Sequence, residues 1–498
     1  MAIKAIGYGQ QQPYVGPRAF SKEDAPLFFG RDREAAELLS LILAHPVVLL
    51  YAPSGAGKTS LLQAKIITLL KERDDLVLGS VRVGGETSTA SEIRNVFVFN
   101  ALTSLQGEIR ATTELVDQTL QEYLEGQSAP DTAEDFSQRR VIIFDQFEEI
   151  FTSYPERWLD RKGFFDEINE ALADPLLRIV FAMREEYIAS LDPYADRLPG
   201  RLSTRLRLEP LRKKAALLAV AGPLAGTGRS FTLAASEKLV DNLLHVSVKS
   251  EDGMSVASGE FVEPLQLQIV CQRLWRSLPK ELETIDEDYI RDYGDVDEAL
   301  ANYYEGCIGE VVQTSGADES LLRSWFDSAL ITPGGTRGLV YRDRKTTRKL
   351  PNEWVDLLEK LYLVRAEMRG GARWYELIHD RFINPIRSSN SIWKKQRLRK
   401  SLSDQEVEEY VRFKAFKNGE ARRLSAKLGR PERLWHKLLE EPGASEEGVL
   451  QDWQSAELIF ALDVLEGGVH LSGRIGRRSL RQLEKEWFAE AKRTKAYL

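Results

Sequence analysis

Residues 52–59 read APSGAGKT and stand between VVLLY, a short apolar run rich in β-branched residues, and SLLQAKIITLL, whose apolar positions recur at helical spacing. Strand, glycine-bearing loop and helix in that order let successive main-chain N–H groups curl around a phosphate, with the helix's positive end aimed at the same point. The match is to the P-loop pattern, with Ala52 in the first glycine slot, where a small side chain still makes the turn. Pro53, Ser54, Gly55, Ala56, Gly57 and Ser60 form the cradle; Lys58 reaches the β and γ phosphates, and the Thr59 hydroxyl binds Mg²⁺. The expected ligand is a nucleoside triphosphate with Mg²⁺, and these residues alone leave ATP and GTP open.

Such a site needs a carboxylate at the end of a buried strand of the same sheet. VIIFDQFEE supplies Asp145 after four apolar residues, placed to hold the metal through water. Glu148 and Glu149 follow, and either can orient or deprotonate the attacking water; the alternative is a solvated first helical turn. LRIVFAMREEY repeats the strand-then-polar pattern with Arg184 at the edge, either contacting the γ phosphate or pairing with a nearby acid.

A chain of 498 residues exceeds one ordinary core, so several domains are expected. Residues 1–27 read as a lead segment and 28–208 as an α/β P-loop NTPase domain, a parallel sheet with helices on both faces. Its strand-like runs are VVLLYA, LVLGSVRV, NVFVFN, VIIFDQF and LRIVFAM. Residues 209–290 read as an α-helical domain, with ASEKLVDNLLHVSV and VEPLQLQIVCQRLWRSL as helices. Residues 291–388 read as a winged helix, its wing formed by two strand-like runs around Gly370-Gly371. Residues 389–498 read as a mostly helical C-terminal region. No apolar run is long enough to span a membrane and the opening lacks a signal-peptide core, so the cytoplasm is expected. Cys271 and Cys307 have no zinc or disulfide spacing and read as core residues.

PYVGPRAFSKEDAPLFFGRDRE, the P-loop, DQFEE and MREEY together resemble the STAND class of signal-transduction NTPases, closest to the bacterial group called novel STAND NTPase 1, over roughly residues 13 to 390. The resemblance implies an ATP/ADP switch that rests with ADP and, on exchange for ATP, opens and assembles with copies of itself, hydrolysing ATP slowly. It implies an adenine-side role for Phe29, Gly30 and Arg31, a sensor role for Arg184, and a base and sugar contact for Pro223 in VAGPLA. It also implies that His379, in YELIHD, contacts the ADP β phosphate; by residue type alone His379 is equally a structural histidine at a strand end. Only about a dozen residues precede the motif region and no repeats follow it, so either the last hundred residues do the sensing or effector work or, as is expected, a separate sensor or effector protein does. A bacterial defence or stress pathway is the expected setting.

The net charge of −8 disfavours non-specific nucleic-acid binding by the whole chain, although 22 Lys and Arg against 17 Asp and Glu from Lys394 onward make the tail basic. GEARRLSAKLGRPERLWHKLL reads as two helices about a turn at Gly429, with Arg422, Arg423, Lys427, Arg430 and Arg433 facing solvent or phosphates. KKQRLRK from Lys394 reads as a charged linker or helix end. A DNA-binding ATPase or transcription regulator, gripping duplex with the winged helix and this tail, is the alternative function.

Overall fold

In the computed structural model, β1 (Val47–Ala52), β2 (Leu76–Val81), β3 (Arg140–Phe144), β4 (Leu177–Arg184) and β5 (Arg205–Arg207) form a parallel sheet in the order β2-β3-β4-β1-β5. The structure describes residues 12–401 apart from 86–92, 107–114, 127–137, 251–252, 280, 333 and 370–371. Both faces of the sheet are covered, and the period-two alternation of a strand divides its side chains between two cores. Leu49, Ile142, Phe144, Ile179, Phe181 and Met183 enter one core with Phe147, Phe164 and Phe165. Val48, Leu50, Ala52, Val141, Ile143, Val180 and Ala182 enter the other, against Leu38 and Ile42 of the Asp32–Ala44 helix and Leu61, Leu62 and Ile66 after the P-loop. This double burial is why the central strands read as unbroken apolar runs.

Two expectations are corrected. NVFVFN is no strand: Val96–Gln106 is a helix whose residues Val96 to Leu102 are all buried. Asn95 accepts the Phe97 and Val98 N–H groups at 3.1 and 3.2 Å and caps it. A helix buried all round has no polar face, so its sequence loses the 3.6-residue signal and imitates a buried strand. ASEKLVDNLLHVSV is not helical throughout: the helix Leu233–Leu244 gives way to the strand His245–Ser250, antiparallel to Gly253–Ser258. Val246 and Val248 alternate there with Ser247 and Lys249, a strand period that helical reading of the preceding residues obscured.

Two compact units emerge. One comprises residues to Ala317 together with Arg337–Phe382; the other comprises Asp318–Thr336 and the described residues from Ile383 on. In the first, the segment from Gln12 packs down through Tyr14, whose buried hydroxyl donates to the Val220 carbonyl at 2.5 Å. Helices Lys213–Ala221, Pro264–Ser277 and Val296–Ser315 follow the sheet domain. The helix Asn352–Lys360 then leads into the antiparallel hairpin Val364–Arg369 and Ala372–Leu377. In the second unit, helix Glu319–Trp325 meets the helix Ile383–Ser401 through buried Arg323, which donates to Asn390 at 3.2 Å and pairs with Glu319 at 2.8 Å. The 388/389 boundary falls inside Ile383–Ser401, which also carries the 394–400 basic stretch to its end. The two-helix reading around Gly429 lies outside the described residues, as do Arg422, Arg423, Lys427, Arg430 and Arg433.

Phe147 is fully buried, with its ring 4.2 Å from that of Phe181. Phe147→Ala is expected to cost about 3–5 kcal/mol in urea unfolding, whereas Trp158→Ala, at a site 56% exposed, changes stability by less than about 0.5 kcal/mol.

Candidate nucleotide site

The loop after β1 turns on two glycines. Gly55 and Gly57 have φ of 85° and 97°, left-handed values that only glycine adopts without strain, and a Cβ at either would meet no atom within 4 Å. The constraint is therefore conformational, and the side on which a Cβ would sit stays open. Lys58 begins the following helix and folds back, its Nζ donating to the carbonyls of Ala52 at 3.0 Å and Pro53 at 3.3 Å. Burial lowers its pKa, and Glu148 opposes that shift.

Asp145 leaves β3 buried to 5% exposure; burial raises its pKa, against a hydrogen bond from Thr59 and one from the Gln146 N–H at 2.9 Å. The turn is fixed at both sides: Asp145 N–H donates to the Val81 carbonyl and Phe147 N–H to the Ala182 carbonyl, each at 2.9 Å. Glu148, next in line, accepts the Arg184 N–H and pairs with Arg184 Nε, both at 3.1 Å. The remaining Arg184 reach goes to the hairpin, where Nη1 donates to the Ala366 carbonyl at 2.9 Å.

These groups line a cleft of about 1260 Å³, open to solvent, with Ser54, Gly55, Gly57, Lys58, Thr59, Ser60, Asp145, Glu148 and Arg184 on its walls. Glu359, Tyr362 and Arg365 line it from the Asn352–Lys360 helix and the hairpin beyond. A second, smaller and mostly apolar chamber is lined by Phe29, Arg31, Ala56 and Leu211, among others. Gly30, at φ 82°, lies so close to the Lys213–Ala221 helix that a Cβ would stand 2.3 Å from the Ala215 carbonyl oxygen. Arg31 is buried and donates to the Ala56 carbonyl at 3.0 Å, tying this segment to the P-loop.

Five of the predicted site residues line neither cavity: Gly30 and Pro53, whose neighbours do, and Glu149, Pro223 and His379. Glu149 is turned away: it pairs with Arg82 and accepts the Gly84 N–H at 3.0 Å. Of the two glutamates left open by the sequence, Glu148 is therefore the one at the cleft. Pro223 is buried beside Gly222, which abuts the Phe29 ring, but it lines neither cavity; Pro264 at the start of the Pro264–Ser277 helix lines both. His379 is not on the wall either. Its Nδ1 meets the Gln266 side chain at 2.9 Å and accepts the Arg381 N–H at 3.0 Å, and burial pushes its pKa down to about 4. Sequence reading missed Pro264, Gln268 and Arg365; the available signal was EPLQLQ, a proline at a helix start followed by two glutamines on an otherwise apolar stretch.

Thr59 and Asp145, one hydroxyl and one buried carboxylate in mutual contact, suit a Mg²⁺ that keeps waters and phosphate oxygens as its other ligands. Among the described residues no group of three or more His, Cys, Asp or Glu could hold a metal by itself.

The Walker-type ATPase PABY2304 of Pyrococcus abyssi aligns over 76% of this chain and all of its own, at 15% identity and a TM-score of 0.40. The Aeropyrum pernix ORC2 protein aligns over 73% of this chain and 94% of its own, at 15% identity and 0.36. Cdc6p from Pyrobaculum aerophilum aligns over 72% and 93%, at 13% identity and 0.33. A search of curated proteins returned no match. The model of the family Novel STAND NTPase 1 matches residues 13–409, a span that takes in the P-loop, the turn after β3, Arg184 and the hairpin, and the chain belongs to that family of P-loop NTPases.

Proposed function

We propose that this protein is an ATP/ADP-dependent signalling switch with slow ATP hydrolysis, acting in the cytoplasm in bacterial defence or stress signalling. The observation that carries the reading is the double engagement of Arg184, which holds Glu148 on one side and the Ala366 carbonyl of the hairpin on the other. A γ phosphate in the cleft competes for that guanidinium, because a charge-assisted hydrogen bond to phosphate is stronger than one to a neutral carbonyl. Arg184 then leaves Ala366, and the hairpin with the Asn352–Lys360 helix, read as a winged helix, loses a tether.

The same arrangement explains slow turnover. Glu148 is the candidate base, and each of its oxygens already accepts from Arg184, which competes with water for the carboxylate. Withdrawal of the Arg184 guanidinium toward phosphate frees one oxygen, while the backbone N–H bond to the other remains. Thr59 and Asp145 would hold Mg²⁺, which would supply neutralisation of developing phosphate charge, and Lys58 turns from its loop carbonyls to the phosphates. His379 is neutral with Nδ1 as an acceptor, which leaves Nε2–H as a donor; it stands 3.9 Å from Glu263 Oε1 and off the cleft wall, so contact with an ADP β phosphate in the resting form requires the ring to turn toward the cleft. The opened chain assembles with further copies, and a separate protein senses the stimulus or executes the response. Among the described residues no helix is long and apolar enough to cross a membrane.

Denaturing the purified chain is expected to release ADP; absence of nucleotide, or GDP in its place, counts against the reading, and Lys58→Ala is expected to empty the site. Hydrogen exchange of the 364–369 amides is expected to quicken with a non-hydrolysable ATP analogue, and to be already quick in Arg184→Ala with ADP. Unchanged exchange in both cases removes the tether.

A pH profile tests the His379 assignment. Above about pH 6.5 the histidine is neutral in both folded and unfolded chains; between pH 6.5 and about 4 the unfolded chain takes up a proton that the folded one resists. Stability is therefore expected to fall as pH drops through that window, and to fall less steeply in His379→Gln when both are followed by urea unfolding.

A further inference from the structure

Five residues, Phe20, Gly57, Ser60, Pro264 and Gln268, line both the phosphate cleft and the apolar chamber, and so mark the junction between them. On the nucleotide reading above, the group between phosphates and base is the ribose. Two of the five have polar side chains. Ser60 Oγ already accepts the Phe20 N–H at 3.1 Å. Gln268 is 7% exposed, and its Oε1 is buried with no hydrogen-bond partner.

A buried acceptor with no partner is costly and calls for an explanation, a bound ligand among them. Among the described residues five other side-chain atoms share this condition, on Asp75, Arg178, Arg273, Trp354 and Trp374, and none of those residues lines either cavity. Gln266, one helical step back, is different: its amide is taken by His379.

We propose that Gln268 is the residue that reads the ribose, its carboxamide oxygen accepting from a 2′ or 3′ hydroxyl, so that the site selects ribonucleotides over deoxyribonucleotides. Gln268 already lines both cavities, and its terminal carboxamide torsion is broad, which leaves Oε1 able to turn to a hydroxyl there. A base-edge role fits less well. The chamber beyond the junction is walled by Leu27, Phe28, Phe29, Leu211, Ala219 and Leu267, and its Arg31 is spent on Ala56 and Glu34.

The test is calorimetric titration of the nucleotide-stripped full chain and of Gln268→Met with ADP, 2′-deoxy-ADP, 2′,3′-dideoxy-ADP and GDP. Wild type is expected to bind dideoxy-ADP about fivefold more weakly than ADP, the worth of one neutral hydrogen bond. Gln268→Met is expected to bind ADP about fivefold more weakly than wild type does and to treat ADP and dideoxy-ADP alike. The unliganded variant is expected to melt at or above the wild-type temperature, because an apolar near-isostere removes an unpaired acceptor. A variant that keeps the wild-type ribose preference overturns the assignment, as does a wild type with no such preference. Loss of the ADP/GDP ratio alone makes Gln268 a base reader instead and equally overturns it. A lower unliganded melting temperature with ribose preference intact marks a purely structural side chain. If wild type binds none of the four, the nucleotide reading itself falls, and this one with it.

Discussion

Two main-chain hydrogen bonds hold the turn after β3 between its neighbouring strands, Asp145 N–H to the Val81 carbonyl on one side and Phe147 N–H to the Ala182 carbonyl on the other. Between them Gln146 is forced to φ 53°, a left-handed value that costs a non-glycine residue about 1 kcal/mol or more. Burial of Phe147 against Phe181, Phe144 and Phe164 offsets that strain. The geometry of the two carboxylates follows. With Phe147 anchored below the sheet edge, Asp145 is fixed beside Thr59, and Glu148 emerges at the end of β4 where Arg184 waits. The aromatic residue in the middle of DQFEE is thus the mechanical reason its acidic neighbours face the cleft.

The P-loop and Asp145 were legible in the sequence because each is local: a strand, a turn and a helix start are written in consecutive residues. The choice between Glu148 and Glu149 was not. Adjacent residues on a helical turn diverge by about 100°, and only the position of Arg82 and Gly84 on the far side decides which one is drawn away. Pro223 and Pro264 pose the same difficulty at longer range. Both follow an apolar or acidic neighbour and both start or end helices, yet the sequence does not record which helix end lies over the junction of the two cavities. Val96–Gln106 was misread for a third reason, the absence of any solvent-facing side from which a helical period could be read.

The FFGR segment shows how tightly backbone packing constrains one wall of the apolar chamber. Gly30 touches the Ala215 carbonyl, and Gly222 touches the Phe29 ring, so FFG meets the Lys213–Ala221 helix with no room for a side chain at either contact. Arg31 then reaches back to the Ala56 carbonyl. The apolar chamber is therefore assembled from chain segments far apart in sequence, and its shape changes if the helical region moves against the sheet.

Magnitudes limit what one tether can accomplish. A shift of the closed-to-open population from 1:99 to 99:1 requires a differential of about 5.5 kcal/mol between the two nucleotide states. Transfer of Arg184 from the Ala366 carbonyl to a phosphate contributes less than about 3 kcal/mol of it, the upper end for a hydrogen bond to a charged group, because the bond to Ala366 is given up. The remainder has to arise where the hairpin wall itself meets the nucleotide, and Glu359, Tyr362 and Arg365 are the side chains there. Arg365 is held by Glu376, which also pairs with Arg337 at 3.2 Å, and Glu359 is held by Arg373 at 2.6 Å, so both charges on this wall are already partly neutralised. On the switch proposed above, the attraction that removes Arg184 from Ala366 is therefore the larger electrostatic part, and any repulsion of a third phosphate by Glu359 is damped by its arginine partner.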